Sequence, residues 1–150
     1  MFYANNYGGE LVLPDTLTRI GNGAFAFCES LISVDLSKTQ ITSIGTETFR
    51  ECTSLTSIDL PDSLESIESY TFSTCKALTR IDLPDTVTSI GSYAFEDCES
   101  LTSINYAGTM EEWNAIDKKE YWNQNGDIEH HDEESVVKTI ICSDGVITLE

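Results

Sequence analysis

Five thiols are the most reactive side chains in this sequence, and four of them keep a regular interval. Cys28, Cys52, Cys75 and Cys98 lie 24, 23 and 23 residues apart, while Cys142 stands outside the series. Grouped cysteines suggest a zinc site or disulfides. Structural zinc sites usually draw on cysteines about two to four residues apart, and the chain contains no C-x-x-C. Disulfides are compatible with the spacing only if the intervening residues coil back and bring successive cysteines together. Cysteine also packs well as a small buried hydrophobe, and the regular interval needs nothing more than that. A second cluster, Glu129-His130-His131-Asp132-Glu133-Glu134, sets two imidazoles beside four carboxylates. Its spacing matches neither H-E-x-x-H nor an EF-hand loop, so it reads as a solvated loop. Trp113, Tyr121 and Trp122 fit either a sugar-stacking platform or an aromatic core. Trp113 reads as core, and the Tyr121-Trp122 pair stays open. Nothing resembles a nucleophile elbow, a P-loop or a dinucleotide fingerprint. Gly21-Asn22-Gly23 lacks the third glycine and the helix that should follow. No catalytic residue, metal or cofactor is expected.

The cysteine interval belongs to a longer pattern. Three residues before each of the four lies Phe25, Phe49, Phe72 or Phe95, and five before those lies Ile20, Ile44, Ile67 or Ile90. Three earlier still come Leu17, Ile41, Leu64 and Val87. After each cysteine runs Leu-x-x-(Ile/Val): Leu31/Val34, Leu55/Ile58, Leu78/Ile81 and Leu101/Ile104. Leu36, Leu60, Leu83 and Tyr106 follow two residues on. Self-similarity at such a period marks a stacked repeat. The extra residue of the second copy falls in Ser37-Lys38-Thr39-Gln40, which replaces a Pro-Asp turn, and turns tolerate insertion. Alternation in Ser57-Ile58-Asp59-Leu60 has the strand period. Pro61-Asp62 makes a turn, Leu64-x-x-Ile67 starts the return path, and Phe-x-x-Cys is a turn or one helical turn. Gly21, Gly45 and Gly91 follow the isoleucine in three copies, and Glu68 in the other. That points to a tight backbone without an obligatory positive φ. One unit is too small to bury its own apolar face, so the copies must stack. Leucine, isoleucine, phenylalanine and cysteine ladders should line the inside.

That architecture leaves one strand face outside. Asp35, Asp59, Asp82 and Asn105 share a repeat position, and Ser33, Ser57, Arg80 and Ser103 share the outward position two earlier. The eight residues form the candidate ligand-binding face. They also fit a plain polar face that keeps strands from aggregating. Net charge is −18, from 26 acidic and 8 basic side chains. Such a surface repels phosphate backbones and anionic lipid, which argues against nucleic acid as a partner. No run approaches the length of an apolar membrane span. Met1–Asn6 lacks the basic start and apolar stretch of a secretory leader. The chain is therefore cytoplasmic, or a leader has been removed.

The repeat resembles the BspA-like, or Treponema-type, class of leucine-rich repeat, with L-x-x-I-x-L-P followed by I-G-x-x-A-F-x-x-C. Ile90-Gly91-Ser92-Tyr93-Ala94-Phe95-Glu96-Asp97-Cys98 carries the second motif in full. The resemblance covers roughly residues 8–106, and Tyr106–Ile116 is similar to a closing segment common in that family. It implies a β-rich leucine-rich-repeat solenoid of about four 23-residue repeats with the eight-residue face on its concave side. It also implies a non-catalytic interaction or adhesion module, on a bacterial cell surface or secreted, whose partner is a host or bacterial surface protein. A carbohydrate- or wall-binding module, suggested by the aromatic cap and polar face, is one alternative. A structural fragment of a longer array is another.

Residues 1–108 are assigned to the solenoid and 109–150 to a helix-plus-hairpin cap of the same domain. Thr109-Met110-Glu111-Glu112 is a capping-box pattern. A helix over Met110–Lys118 would turn Met110, Trp113 and Ile116 to one face, with Lys118 and Lys119 at its C-terminal end. Asn123–Ser135 is polar and reads as loop. Val136–Cys142 and Val146–Leu149 flank a Ser143-Asp144-Gly145 hairpin turn. If the thiols only pack, the denatured, unreduced protein should titrate as five free thiols; a smaller number would reinstate disulfides.

Overall fold

The computed structural model describes residues 8–124 and 136–149. In chain order its elements are β1 (Gly9–Val12), β2 (Leu31–Asp35), β3 (Ser43–Ile44), β4 (Ser57–Asp59), β5 (Ser66–Ile67), β6 (Asp82–Leu83), β7 (Ser89–Ile90), β8 (Ser103–Tyr106), α1 (Met110–Ala115), β9 (Asp117–Lys118), β10 (Thr139–Cys142) and β11 (Gly145–Thr148). They wind into a β-solenoid whose like residues meet in register. Ile44 pairs with Ile67, Ile67 with Ile90, and Ile20 bridges to Ile44. One side of the coil carries the parallel sheet β3-β5-β7-β9. The other strand side carries β1-β2-β4, then β6-β8-β10 with β11 antiparallel at its end. Between β4 and β6 this ladder opens, and the Thr79 amide reaches the Thr56 carbonyl only at 3.5 Å.

The Phe-x-x-Cys stretches are turns, and they form a third ladder. The amides of Phe25, Phe49, Phe72 and Phe95 donate to Thr48, Thr71, Ala94 and Trp122 carbonyls one coil on, at 2.9–3.0 Å. Aiming alternate amides along the axis demands left-handed backbone twice per coil. Glu47, Tyr70, Tyr93 and Tyr121 hold φ of 56–59°, and Gly23 holds 61° at the equivalent point of the first coil. Phe27, Glu51, Thr74 and Asp97 do the same four residues on, at φ 52–63°. A residue with a Cβ pays about 1–2 kcal/mol there, offset by backbone groups that would otherwise go unsatisfied.

Inside, Phe25, Phe49, Phe72 and Phe95 stack face to face with centroids 5.4–5.7 Å apart. Such contacts add about 0.5–1.5 kcal/mol each beyond area burial. Beside them run the cysteines, all free thiols. Cys52, Cys75 and Cys98 each donate Sγ–H to the phenylalanine carbonyl of the preceding coil, at 3.0–3.2 Å. Burial pushes the Cys52 thiol up to about 12 and raises Cys75 and Cys98 as well.

The glycines after isoleucine have ordinary φ, and what they provide is space. A Cβ on Gly91 would lie 2.6 Å from the Glu68 carbonyl carbon and 2.8 Å from Ser69 Cα. One on Gly45 would meet Asn22 Oδ1 at 2.5 Å, whereas Gly21, on the first coil, would meet nothing within 4 Å.

Residues after 108 do more than close the end. The capping box forms, with Glu112 N donating to Thr109 Oγ1 at 3.2 Å and Thr109 N to Glu112 Oε2 at 2.7 Å. The helix stops at Ala115, not at Lys118, because β7 has a free edge to fill. Asp117 N donates to Thr88 O and Lys119 N to Ile90 O, both at 2.9 Å, and these ladder bonds replace the last helical turn. Lys118 still serves the helix end, donating Nζ–H to the Trp113 and Ile116 carbonyls at 2.6 and 3.0 Å. Asn123 belongs to the core and not to a polar loop: its side chain accepts from Val137 N at 2.6 Å and donates to Val137 O at 2.9 Å. The hairpin forms as β10 and β11. Within it β10 pairs in parallel with β8, Ile140 against Ile104. Val137-x-x-Ile140-x-Cys142 is thus a further Leu-x-x-Ile-x-Leu strand.

Two outcomes follow from these contacts. Gly91→Ala should destabilise by about 1–3 kcal/mol, whereas Gly21→Ala should be neutral or stabilise by up to about 1 kcal/mol; urea denaturation measures both. For the thiols, the folded chain keeps protons that the unfolded chain releases above the ordinary value of 9.0. Stability should therefore fall as pH rises from about 9 towards 12, by about 1.4 kcal/mol per pH unit for each thiol so held. Denaturation midpoints between pH 8 and 10.5 should show this, with a shallower slope in Cys52→Ala.

Candidate functional site

The repeat places its candidate face on the strands β2, β4, β6 and β8, where inward apolar residues fix the direction of their neighbours. In β4, Ile58 is buried while Ser57 and Asp59 are exposed. In β8, Ile104 and Tyr106 are buried while Ser103 and Asn105 are partly exposed. The structure brings the eight residues onto one side in two registered groups. Ser33 lies beside Ser57 and Asp35 beside Asp59 across β2 and β4. Asp82 lies beside Asn105 across β6 and β8. The opening between β4 and β6 separates the groups, so the carboxylate row expected from the sequence is interrupted at its centre.

Their carboxylates are not equivalent. Asp35 turns back to accept from Ser37 Oγ at 2.6 Å and Ser37 N at 2.9 Å, and these bonds hold its carboxyl below the usual range. Asp82 is partly desolvated, which opposes ionisation, yet its carboxyl is held low by Arg80 and Asn105. Arg80 Nε donates to both Asp82 oxygens at 3.0 Å, and Asn105 Nδ2 donates to Oδ1 at 2.6 Å. Asp59 is exposed, and its carboxylate has no hydrogen-bond partner among the described residues. Where the ladder opens, Asp59, Asp62 and Asp82 line a shallow groove of about 290 Å³ floored by Ile58, Leu60 and Leu83. The groove was not legible in the sequence, because repeat position does not reveal which rungs part.

The aromatic candidates divide. Trp113 is 1% exposed and packs edge-on against Tyr106 and Trp122, at 5.5 and 5.9 Å. Trp122 packs edge-on against Phe95 at 6.2 Å. Both indoles cover the last coil; Trp113 is buried and offers no sugar platform, while Trp122 is half-buried. Tyr121 lies outside, stacked on Tyr93 at 5.4 Å. The histidine and carboxylate run at 129–134 lies outside the described residues. Among the described residues no group of three metal-ligating side chains converges, and no helix is long and apolar enough to cross a membrane.

Comparison with known proteins agrees with this architecture. The profile of the BspA type leucine rich repeat region matches residues 1–124 in six copies. A Treponema pallidum leucine rich repeat protein of known structure is 31% identical over 65% of this chain and 58% of its own, with TM-score 0.54. A leucine rich cell surface protein from Faecalibacterium prausnitzii is 31% identical over 72% of this chain and 34% of its own, with TM-score 0.59. The chain thus spans less than two thirds of either relative. A Bacteroides capillosus leucine-rich repeat protein shares the fold at 23% identity and TM-score 0.55. No curated protein matches.

Proposed function

Because this chain belongs to the BspA-type leucine-rich repeat family, we propose that it is a non-catalytic protein-interaction module, displayed on or secreted from a bacterial cell, that binds a surface protein through its strand face. The observation carrying this reading is the open rung between β4 and β6. There the regular ladder gives way to a groove with an apolar floor and three carboxylates at its rim. Asp59 and Asp62 are the residues there whose carboxylates have no partner among the described residues, whereas Asp82 is occupied by Arg80 and Asn105. A basic or hydroxyl-rich protein segment fits that chemistry. Steering of such a partner by a chain of net charge −18 would be strong and salt-dependent. The cell-surface placement follows the Faecalibacterium relative, described as a cell surface protein.

The test is a pull-down from host and bacterial surface-protein extracts beside a glycan array. A captured protein should lose at least about tenfold in affinity, roughly 1.4 kcal/mol, with Asp59→Ala. Asp59→Ala leaves no partner unpaired, so its fold should be intact; Asp82→Ala should weaken binding too, with some loss of stability from freeing Arg80. Unchanged affinity in both variants would reject this face, and binding on the array alone would reject the protein ligand.

A further inference from the structure

The turn side of the solenoid carries a feature that ligand binding at the strand face does not use. Tyr70, Tyr93 and Tyr121 occupy one equivalent position on three successive coils, each in left-handed backbone at φ 56–59°. Gly23 and Glu47 hold that position in the first two coils. A glycine would satisfy the backbone at no steric cost, so three bulky aromatics here run against local preference. The inter-coil ladder demands this backbone of whichever residue stands here, as Glu47 shows, so what sets the three apart is the contact between their rings. The rings stack nearly parallel. Tyr70 and Tyr93 have centroids 5.0 Å apart at 13°, and Tyr93 and Tyr121 lie 5.4 Å apart at 17°. Arg50 covers the far face of Tyr70 at 5.8 Å from its centroid. Tyr121 is 39% exposed, and Tyr70 and Tyr93 are partly exposed. The stack therefore shows solvent its ring edges, and most of its ring faces are already occupied. That suits sugar stacking poorly. It suits a reaction between the rings.

We propose that the Tyr70–Tyr93–Tyr121 ladder is an oxidative cross-linking site, where a haem peroxidase using hydrogen peroxide couples neighbouring tyrosines into dityrosine. Each phenol gives up one electron and its hydroxyl proton to become a phenoxyl radical. Two neighbouring radicals join through one carbon ortho to oxygen on each ring. The two ring hydrogens at the new bond then move to the oxygens and restore both phenols. The pair loses two hydrogen atoms, and one hydrogen peroxide is reduced to two waters. The coils already hold the rings together, so coupling within one chain outruns coupling between chains at low concentration. Phenylalanines on the adjacent inner ladder lack the phenol and are bystanders. Tyr106 is buried edge-on against Trp113. The product is a covalent staple across the last coils, where the solenoid ends.

Dilute purified protein is treated with a plant haem peroxidase and hydrogen peroxide. The expected result is dityrosine fluorescence in a monomer whose intact mass has dropped by two hydrogens, with peptide mapping that joins Tyr70 to Tyr93 or Tyr93 to Tyr121. The cross-linked monomer should also unfold at higher temperature. Tyr93→Phe preserves the stack and should reduce intrachain coupling to background, since Tyr70 and Tyr121 are two coils apart. Tyr70→Phe should retain only the Tyr93–Tyr121 link. Absence of intrachain dityrosine, equal yield in Tyr93→Phe, or links that map to Tyr3 or Tyr7 would overturn the proposal. None of these readouts depends on the strand face or its partner.

Discussion

The structure depends on backbone amides aimed along the solenoid axis at the carbonyls of the neighbouring coil. Both strand sides satisfy this with parallel ladders, which extended residues supply without strain. The turn side cannot. To send the amides of residues 47, 49 and 51 onto 69, 71 and 73, the chain must enter left-handed conformation at Glu47 and Glu51. The same demand sets how closely coils approach, which is why Gly91 faces the backbone of Glu68 and Ser69. Side-chain ladders follow from it: once backbones repeat in register, phenylalanine must meet phenylalanine and thiol must lie beside thiol. Hydrophobic burial gives the stack its stability, but hydrogen-bond geometry decides which atoms are buried against which.

That constraint also assigns function to the outside. The repeated leucine, isoleucine, phenylalanine and cysteine positions are consumed within the stack, and the thiols among them are held protonated by burial. What remains for a partner is outward strand residues, turn residues, and places where the repeat is broken. The opening beside Asp59 is such a break.

The repeat, its strands and the outward direction of the eight face residues were legible because each is written several times at a fixed interval. So was the capping box, a local pattern. The features that were not legible share a physical cause: they depend on which segments become neighbours. Lys118 sits 28 residues after its partner Ile90, and Ile140 sits 36 after Ile104, against 23 within the repeats. Those unequal gaps conceal that Val137-x-x-Ile140-x-Cys142 continues the repeat. Asn123 was hidden for the same reason, since a buried amide clamp looks like any polar residue until Val137 is placed beside it. The helical periodicity runs on to Lys118 because it says nothing of the open edge of β7 that claims Asp117 and Lys118. Tyr121 stands out beside Trp122, but its alignment with Tyr70 and Tyr93 does not, because an outward position does not show in a hydrophobic pattern and the last interval is 28 residues.

Stacking like on like favours some outer residues and penalises others, and the surface reflects the difference. Carboxylates in register repel by roughly 0.8 kcal/mol per pair at ~5 Å in water, which a strongly acidic chain meets on every side. This chain breaks the rows. Arg80 and Asn105 close around Asp82. Lys76 reaches Glu99 across one coil at 2.8 Å. Aromatic rings gain from the same arrangement, because each new ring adds a stacking contact to the one before it. Acidic rows therefore stay short, while the tyrosine row runs unbroken over three coils and can bear the strain of its backbone. Asp59 lies in register beside Asp35 with no salt bridge to either among the described residues, so that pair keeps its repulsion.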